Sequence, residues 1–139
     1  MNNTDILYIE DNEDYIGFVI RALKKVDCNI NVSIATDGKT ALSTVSDTSS
    51  NVSYKLILLD IHLPGMTGIE LVQKMRAQKA LAYTPIIMFS TSDNPKDVEA
   101  CYKYGANAYL VKPVGIQPLV NTLKSVCDFW LNCNYSCAE

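Results

Sequence analysis

The chain has 139 residues, with 12 Lys and Arg, 15 Asp and Glu, one His and five Cys. That is one domain's worth of chain, with an ordinary globular share of 48% hydrophobic and 19% charged residues, which excludes intrinsic disorder. A net charge of -3 argues against general nucleic-acid binding, and no apolar run approaches the roughly 20 residues of a membrane helix.

The elements read in chain order as an alternation of strands and helices. Ile6-Leu7-Tyr8-Ile9 is a short apolar run that stops at acids, a buried strand. From Glu13 to Val26 the apolar residues Ile16, Val19, Ile20 and Leu23 share one helical face. Ile30, Val32 and Ile34 alternate with polar residues, as in a strand with one wetter face. A second helix opens at Thr36-Asp37-Gly38, and a Ser- and Asn-rich loop is expected from Ser46 to Ser53. Leu56 to Leu59 is apolar on every residue, as in a central parallel strand covered on both faces. Gly65 to Gly68 breaks the chain before a third helix carrying Ile69, Leu71, Val72 and Met75. Pro85 precedes the strand Ile86 to Phe89, and Asp93-Asn94-Pro95 starts a fourth helix that Gly105 ends. Ala108 to Val111 is a fifth strand, and a last helix from Ile116 ends near Leu131. The expected division is a domain over 1–131 and a polar tail over 132–139.

Five such units predict an α/β fold with a doubly wound five-stranded parallel sheet, order 2-1-3-4-5, a flavodoxin-like (βα)5 arrangement. Ligands of such sheets bind at the carboxyl ends of the strands. Glu10 and Asp11 end the first strand, Asp60 the third, Ser90 the fourth and Lys112 the fifth. Asp11 on its own is also a plausible helix cap. Three carboxylates crowded together repel unless neutralised, and a hard cation such as Mg²⁺ takes oxygen ligands. The set suits phosphoryl transfer, with Asp60 as a carboxylate nucleophile and Ser90 and Lys112 holding phosphoryl oxygens.

The cysteines show no Cys-x-x-Cys, and Cys133 and Cys137 lack a nearby His to complete a zinc set. With no basic and apolar leader at the start, they are expected to be free thiols in a reducing cytoplasm.

Glu10-Asp11, Asp60 followed by Leu63-Pro64-Gly65-Met66-Thr67-Gly68, then Ser90, Tyr109 and Lys112-Pro113 resemble the response-regulator receiver domain of two-component signalling, the CheY-like superfamily. The spacings of 30 residues from Asp60 to Ser90 and 52 to Lys112 fit as well. Ser90-Thr91-Ser92 and the Phe129-Trp130-Leu131 ending are similar to single-domain regulators partnered with phytochrome-type kinases.

The resemblance implies a phosphoprotein that takes an aspartyl phosphate on Asp60 from a histidine kinase or histidine phosphotransfer protein. Mg²⁺ or Mn²⁺ would sit on Glu10, Asp11, Asp60 and the backbone carbonyl of His62. Lys112 would contact the phosphoryl group, and its bond to Pro113 would be cis. Ser90, Thr91 and Tyr109 would act as switch residues, reshaping the face of the fourth helix, fifth strand and fifth helix. Tyr102, Tyr109 and Trp130 are interface candidates there, with a homodimer as one use of the face. Such a protein is not an enzyme beyond its own phosphorylation and dephosphorylation. Without an output domain it signals to a partner protein, not to nucleic acid or membrane. Two alternatives stay open: an interaction module that is never phosphorylated, and an Asp-nucleophile phosphohydrolase.

Overall fold

The computed structural model describes residues 2–46 and 52–137. The expected loop from Ser46 to Ser53 therefore lies mostly outside the described residues. The elements are β1 Asn2–Ile9, α1 Glu13–Val26, β2 Val32–Ala35, α2 Gly38–Ser46, β3 Val52–Leu59, α3 Gly68–Arg76, β4 Ile86–Ser90, α4 Pro95–Lys103, β5 Ala108–Val111 and α5 Ile116–Cys127. Among the described residues the strands form one parallel sheet in the order β2-β1-β3-β4-β5.

Because successive strand side chains point to opposite faces, each central strand feeds two cores. Leu7, Ile9, Ile57, Leu59, Ile86 and Met88 pack on one face with Ala41, Leu71, Val72, Met75 and Cys101 from α2, α3 and α4. Ile6, Tyr8, Leu56, Leu58, Ile87 and Phe89 pack on the other with Val19 and Leu23 of α1 and Leu119, Leu123 and Val126 of α5. The fully apolar runs in β3 and β4 follow from this double coverage.

Four boundaries differ from the sequence expectation, the first being β1, which starts at Asn2 rather than Ile6. β2 starts at Val32 rather than Ile30, because Asp27 holds a turn: its Oδ1 accepts from Asn29 N at 2.9 Å and its carbonyl from Ile30 N at 3.2 Å. β3 starts at Val52, where it pairs with Asn2 of β1. The α-helical part of α5 stops at Cys127 and continues as a π-helical turn over Asp128–Cys133, so residue 131 falls inside that turn. There Trp130 and Leu131 pack against the α1/α5 core, which keeps the chain helical beyond α5.

Arg76, at the end of α3, ties the far end of the sheet together. Its guanidinium donates to the carbonyls of Gly105 (2.9 Å), Leu81 (2.7 Å) and Thr84 (2.8 Å) and to Asn107 Oδ1 (2.7 Å). Asn107 Oδ1 also accepts from Ile86 N at 2.9 Å, so one side chain links the entries to β4 and β5.

Candidate functional site

The site forms at the ends of β1 and β3, which are neighbours, with Lys112 reaching in from the end of β5. The register that pairs Ile9 with Leu59 carries on one step, with Asp60 N donating to Ile9 O at 3.1 Å. Glu10 N donates to Ala35 O at 3.0 Å, which anchors the first acid to β2. Asn12, not Asp11, caps α1: its Oδ1 accepts from Tyr15 N at 2.9 Å. Both residue types serve as caps, so Asp11 is left with an exposed carboxylate and no capping duty.

Glu10 is 1% exposed and Asp60 4%. One oxygen of each of Glu10, Asp11 and Asp60 lies within 4.8 Å of the others. Lys112 Nζ bridges two of them, at 2.5 Å from Glu10 Oε1 and 3.1 Å from Asp60 Oδ2. Glu10 is further held by the Tyr8 hydroxyl at 3.1 Å and by Asn12 N at 3.2 Å. Burial pushes the Glu10 carboxyl up from its ordinary value, and the Lys112 hydrogen bond opposes this. Burial, then the charges of Glu10 and Asp60, push the Tyr15 phenol up to about 12. Tyr8 is raised by burial and by Glu10, so it remains a neutral donor at neutral pH.

The loop after Asp60 folds back on the two residues that follow β3. Gly68 N donates to Ile61 O at 2.7 Å, and a Cβ at position 68 would stand 2.3 Å from the Asp60 carbonyl oxygen. Only glycine permits this approach. His62 N donates to Asp60 Oδ1 at 3.4 Å, while the His62 side chain is exposed. Asp11, His62, Leu63, Pro64, Thr67 and Asp97 are among the residues lining an open groove of about 550 Å³ beside the acids.

At the β4 end Ser90 is fully buried, and its Oγ accepts from Ser92 N at 3.2 Å. Tyr109 donates its hydroxyl to Ser92 O at 2.7 Å, and Ser92 Oγ donates to Asp97 Oδ2 at 2.7 Å. Ser92 therefore joins Ser90, Tyr109 and α4. Thr91 is exposed next to this network.

One expectation is corrected. No peptide bond among the described residues is cis, so Lys112–Pro113 is trans. Trans is the favoured isomer even before proline, by about 0.5–1 kcal/mol. With it Lys112 still reaches both carboxylates.

Of the interface candidates, Tyr102 is 49% exposed, whereas Tyr109 and Trp130 are half-buried. Val111, Val114 and Ile116 add exposed apolar surface next to β5. Three contributors escaped the sequence reading. Tyr8 stands two residues from Glu10 on the same face of β1, a signal that was there to read. Tyr15 lies in the first turn of α1, three residues after its Asn12 cap. Asp97 opens α4 without any motif to mark it.

The family model described as "Response regulator receiver domain" matches residues 6–124. The chain belongs to that family. Receiver domains are the phosphorylatable modules of two-component response regulators, whose phosphoryl donors are histidine kinases. The fold is similar to the phosphorylated cyanobacterial phytochrome response regulator RcpA, with a TM-score of 0.88 and 27% identity, covering 98% of this chain and 99% of that one. It is also similar to the Mn²⁺-bound form of response regulator Rcp1, with a TM-score of 0.85 and 28% identity, covering 97% and 99%. A probable methanogenesis regulatory protein, FilR2 of Methanothrix harundinacea, is 27% identical over 94% of this chain and 86% of its own length. Other curated relatives are longer, and the chain spans only 11% of one and 52% of another. This receiver domain has no helix among the described residues that is long and apolar enough to cross a membrane.

Proposed function

We propose that this receiver domain accepts a phosphoryl group on Asp60 from a histidine kinase or a histidine phosphotransfer protein. The observation that carries the proposal is the buried Asp60 carboxylate, paired with Lys112 at 3.1 Å and clustered with Glu10 and Asp11. An Asp60 oxygen forms the new P–O bond as the P–N bond of a phosphohistidine breaks. The imidazole nitrogen keeps the electron pair and takes a proton. Lys112 and the Ser90 hydroxyl would hold phosphoryl oxygens.

The donor set fits a hard divalent cation, Mg²⁺ or Mn²⁺: three carboxylates against one ammonium leave a net negative, oxygen-only site. Glu10, Asp11, Asp60 and the His62 carbonyl would hold it. Bound there, it offsets the negative charge of the transferring group.

Phosphorylation would replace the single negative charge of the Asp60 carboxylate with a phosphoryl group carrying about -1.5 to -2. To turn toward it, Ser90 Oγ gives up its bond from Ser92 N, and Ser92 passes the change to Tyr109 and Asp97. The face of α4, β5 and α5 is then the surface that a downstream protein, or a second copy of the chain, would read. Tyr102, Val111, Val114 and Ile116 provide its exposed apolar contacts. We place the protein in the cytoplasm, with no turnover beyond its own phosphorylation and dephosphorylation.

Acetyl phosphate with Mg²⁺ should add one phosphoryl group by intact mass, and Asp60→Asn should abolish the addition. Labelling of Asp60→Asn at the wild-type level would overturn the assignment.

A further inference from the structure

We infer that Tyr15 is a positioning residue for Lys112, its ring face holding the ammonium in the site when carboxylate partners are drawn to a cation and a phosphoryl group. The inference rests on the roles proposed for Asp60, Glu10 and Lys112.

Lys112 Nζ lies 4.4 Å from the centroid of the Tyr15 ring. An ammonium has three donors, and two of them have the partners Glu10 and Asp60. Those two carboxylates are the groups a hard cation competes for. The ring face is not an oxygen ligand, so it stays available when they are engaged. Lysine has a flexible four-carbon stem, and without a fixed neighbour its head would lose its place over Asp60. A cation over an aromatic face is held most strongly when desolvated, and the Lys112 side chain is only 6% exposed.

The Tyr15 hydroxyl argues independently for the face. Among the described residues it is the buried side-chain polar atom with no hydrogen-bond partner. Buried tyrosines ordinarily pair their hydroxyls, so the hydroxyl does not dictate where this ring sits. Its contacts are those of a ring: Phe89 at 5.9 Å, Phe18 edge-on at 6.3 Å, and the Lys112 ammonium. The Asn12 cap fixes the first turn of α1 and so the direction of the side chain.

The test compares wild type with Tyr15→Phe, Tyr15→Leu and a variant with pentafluorophenylalanine at position 15, which keeps the shape and reverses the ring's quadrupole. The first readout needs neither metal nor phosphoryl donor: the ring-current shift of the Lys112 ε-methylene protons by NMR. It should persist in Tyr15→Phe and vanish in Tyr15→Leu. The second is the rate of phosphorylation by acetyl phosphate with Mg²⁺. Tyr15→Phe should stay near the wild-type rate, while the leucine and pentafluoro variants fall roughly tenfold. A folded Tyr15→Leu with wild-type rate, or with unchanged Lys112 shifts, overturns the inference. Should the leucine variant fail to fold, the pentafluoro variant decides, and a wild-type rate there overturns it. A wild-type protein that takes up no phosphoryl group overturns the acceptor role of Asp60 instead, and the Lys112 shift then still reports on the contact.

Discussion

Tyr8 donates its hydroxyl to Glu10 Oε1 at 3.1 Å, and both side chains are buried on the same face of β1. A core strand thus supplies a hydrogen bond to the acid that ends it. Tyr8→Phe keeps the ring and opens no large cavity, but it strips one donor from a buried carboxylate. Urea unfolding should show a loss of about 1–2 kcal/mol. Glu10→Gln in the same background tests the origin of the loss, because the penalty for Tyr8→Phe should shrink once the carboxylate charge is gone.

Gly68 packs against the backbone of Asp60 itself. A methyl group there meets the Asp60 carbonyl at 2.3 Å and Ile61 Cα at 2.7 Å, and neither atom belongs to a side chain that can swing away. Gly68→Ala should cost about 3 kcal/mol or more. Its thermal midpoint should drop, and Mg²⁺ titrations by calorimetry should weaken as Asp60 shifts.

Arg76 serves four backbone carbonyls, those of Gly105, Leu81, Ala82 and Thr84, and Asn107 at once. Burial pulls its guanidinium below the ordinary value, though it remains charged at neutral pH. Arg76→Leu leaves those acceptors without their donor and should cost about 2–4 kcal/mol in denaturant unfolding. Arg76→Lys should recover little, because one ammonium cannot span the same set of acceptors.

The cysteines divide by burial. Cys28, Cys133 and Cys137 are exposed, whereas Cys101 and Cys127 are buried. A thiol reagent at pH 8 should label the exposed three quickly and the buried two only on unfolding. Burial raises both buried thiols from 9.0 to about 11. A raised folded-state value means that the unfolded chain gives up its protons first as the pH climbs. The stability these thiols contribute is complete below pH 9 and is lost as pH rises through about 11. Melting curves across that range should fall less steeply for a Cys101→Ala, Cys127→Ala double variant than for wild type.

Much of this was legible because strand alternation and helix period are set by burial, and burial is written residue by residue. Ile6 to Ile9 and Leu56 to Leu59 are apolar throughout because both sheet faces are covered, and that coverage already implies the parallel order. The clustering of Glu10, Asp11 and Asp60 followed from strand ends meeting at one edge. What escaped depends on choices between near-equal local states. Asp11 and Asn12 are both good caps, and the turn geometry decides for Asn12. The isomer before Pro113 differs from its alternative by so little that no residue pattern announces it. Tyr15 reads as one more residue of an amphipathic helix until the fifth strand delivers Lys112 beneath its ring.

Lys112 is separated from Glu10 by 102 positions in the chain and from Asp60 by 52. During synthesis the acids therefore emerge well before the ammonium that compensates them. A chain halted before β5 carries Asp60 with no counter-ion and no closed edge to hold one. On the acceptor role proposed above, competence arrives only once β5 has brought Lys112 to the acids. Under that proposal, a phosphoryl donor would find a compensated Asp60 only in a chain whose fifth strand has joined the sheet.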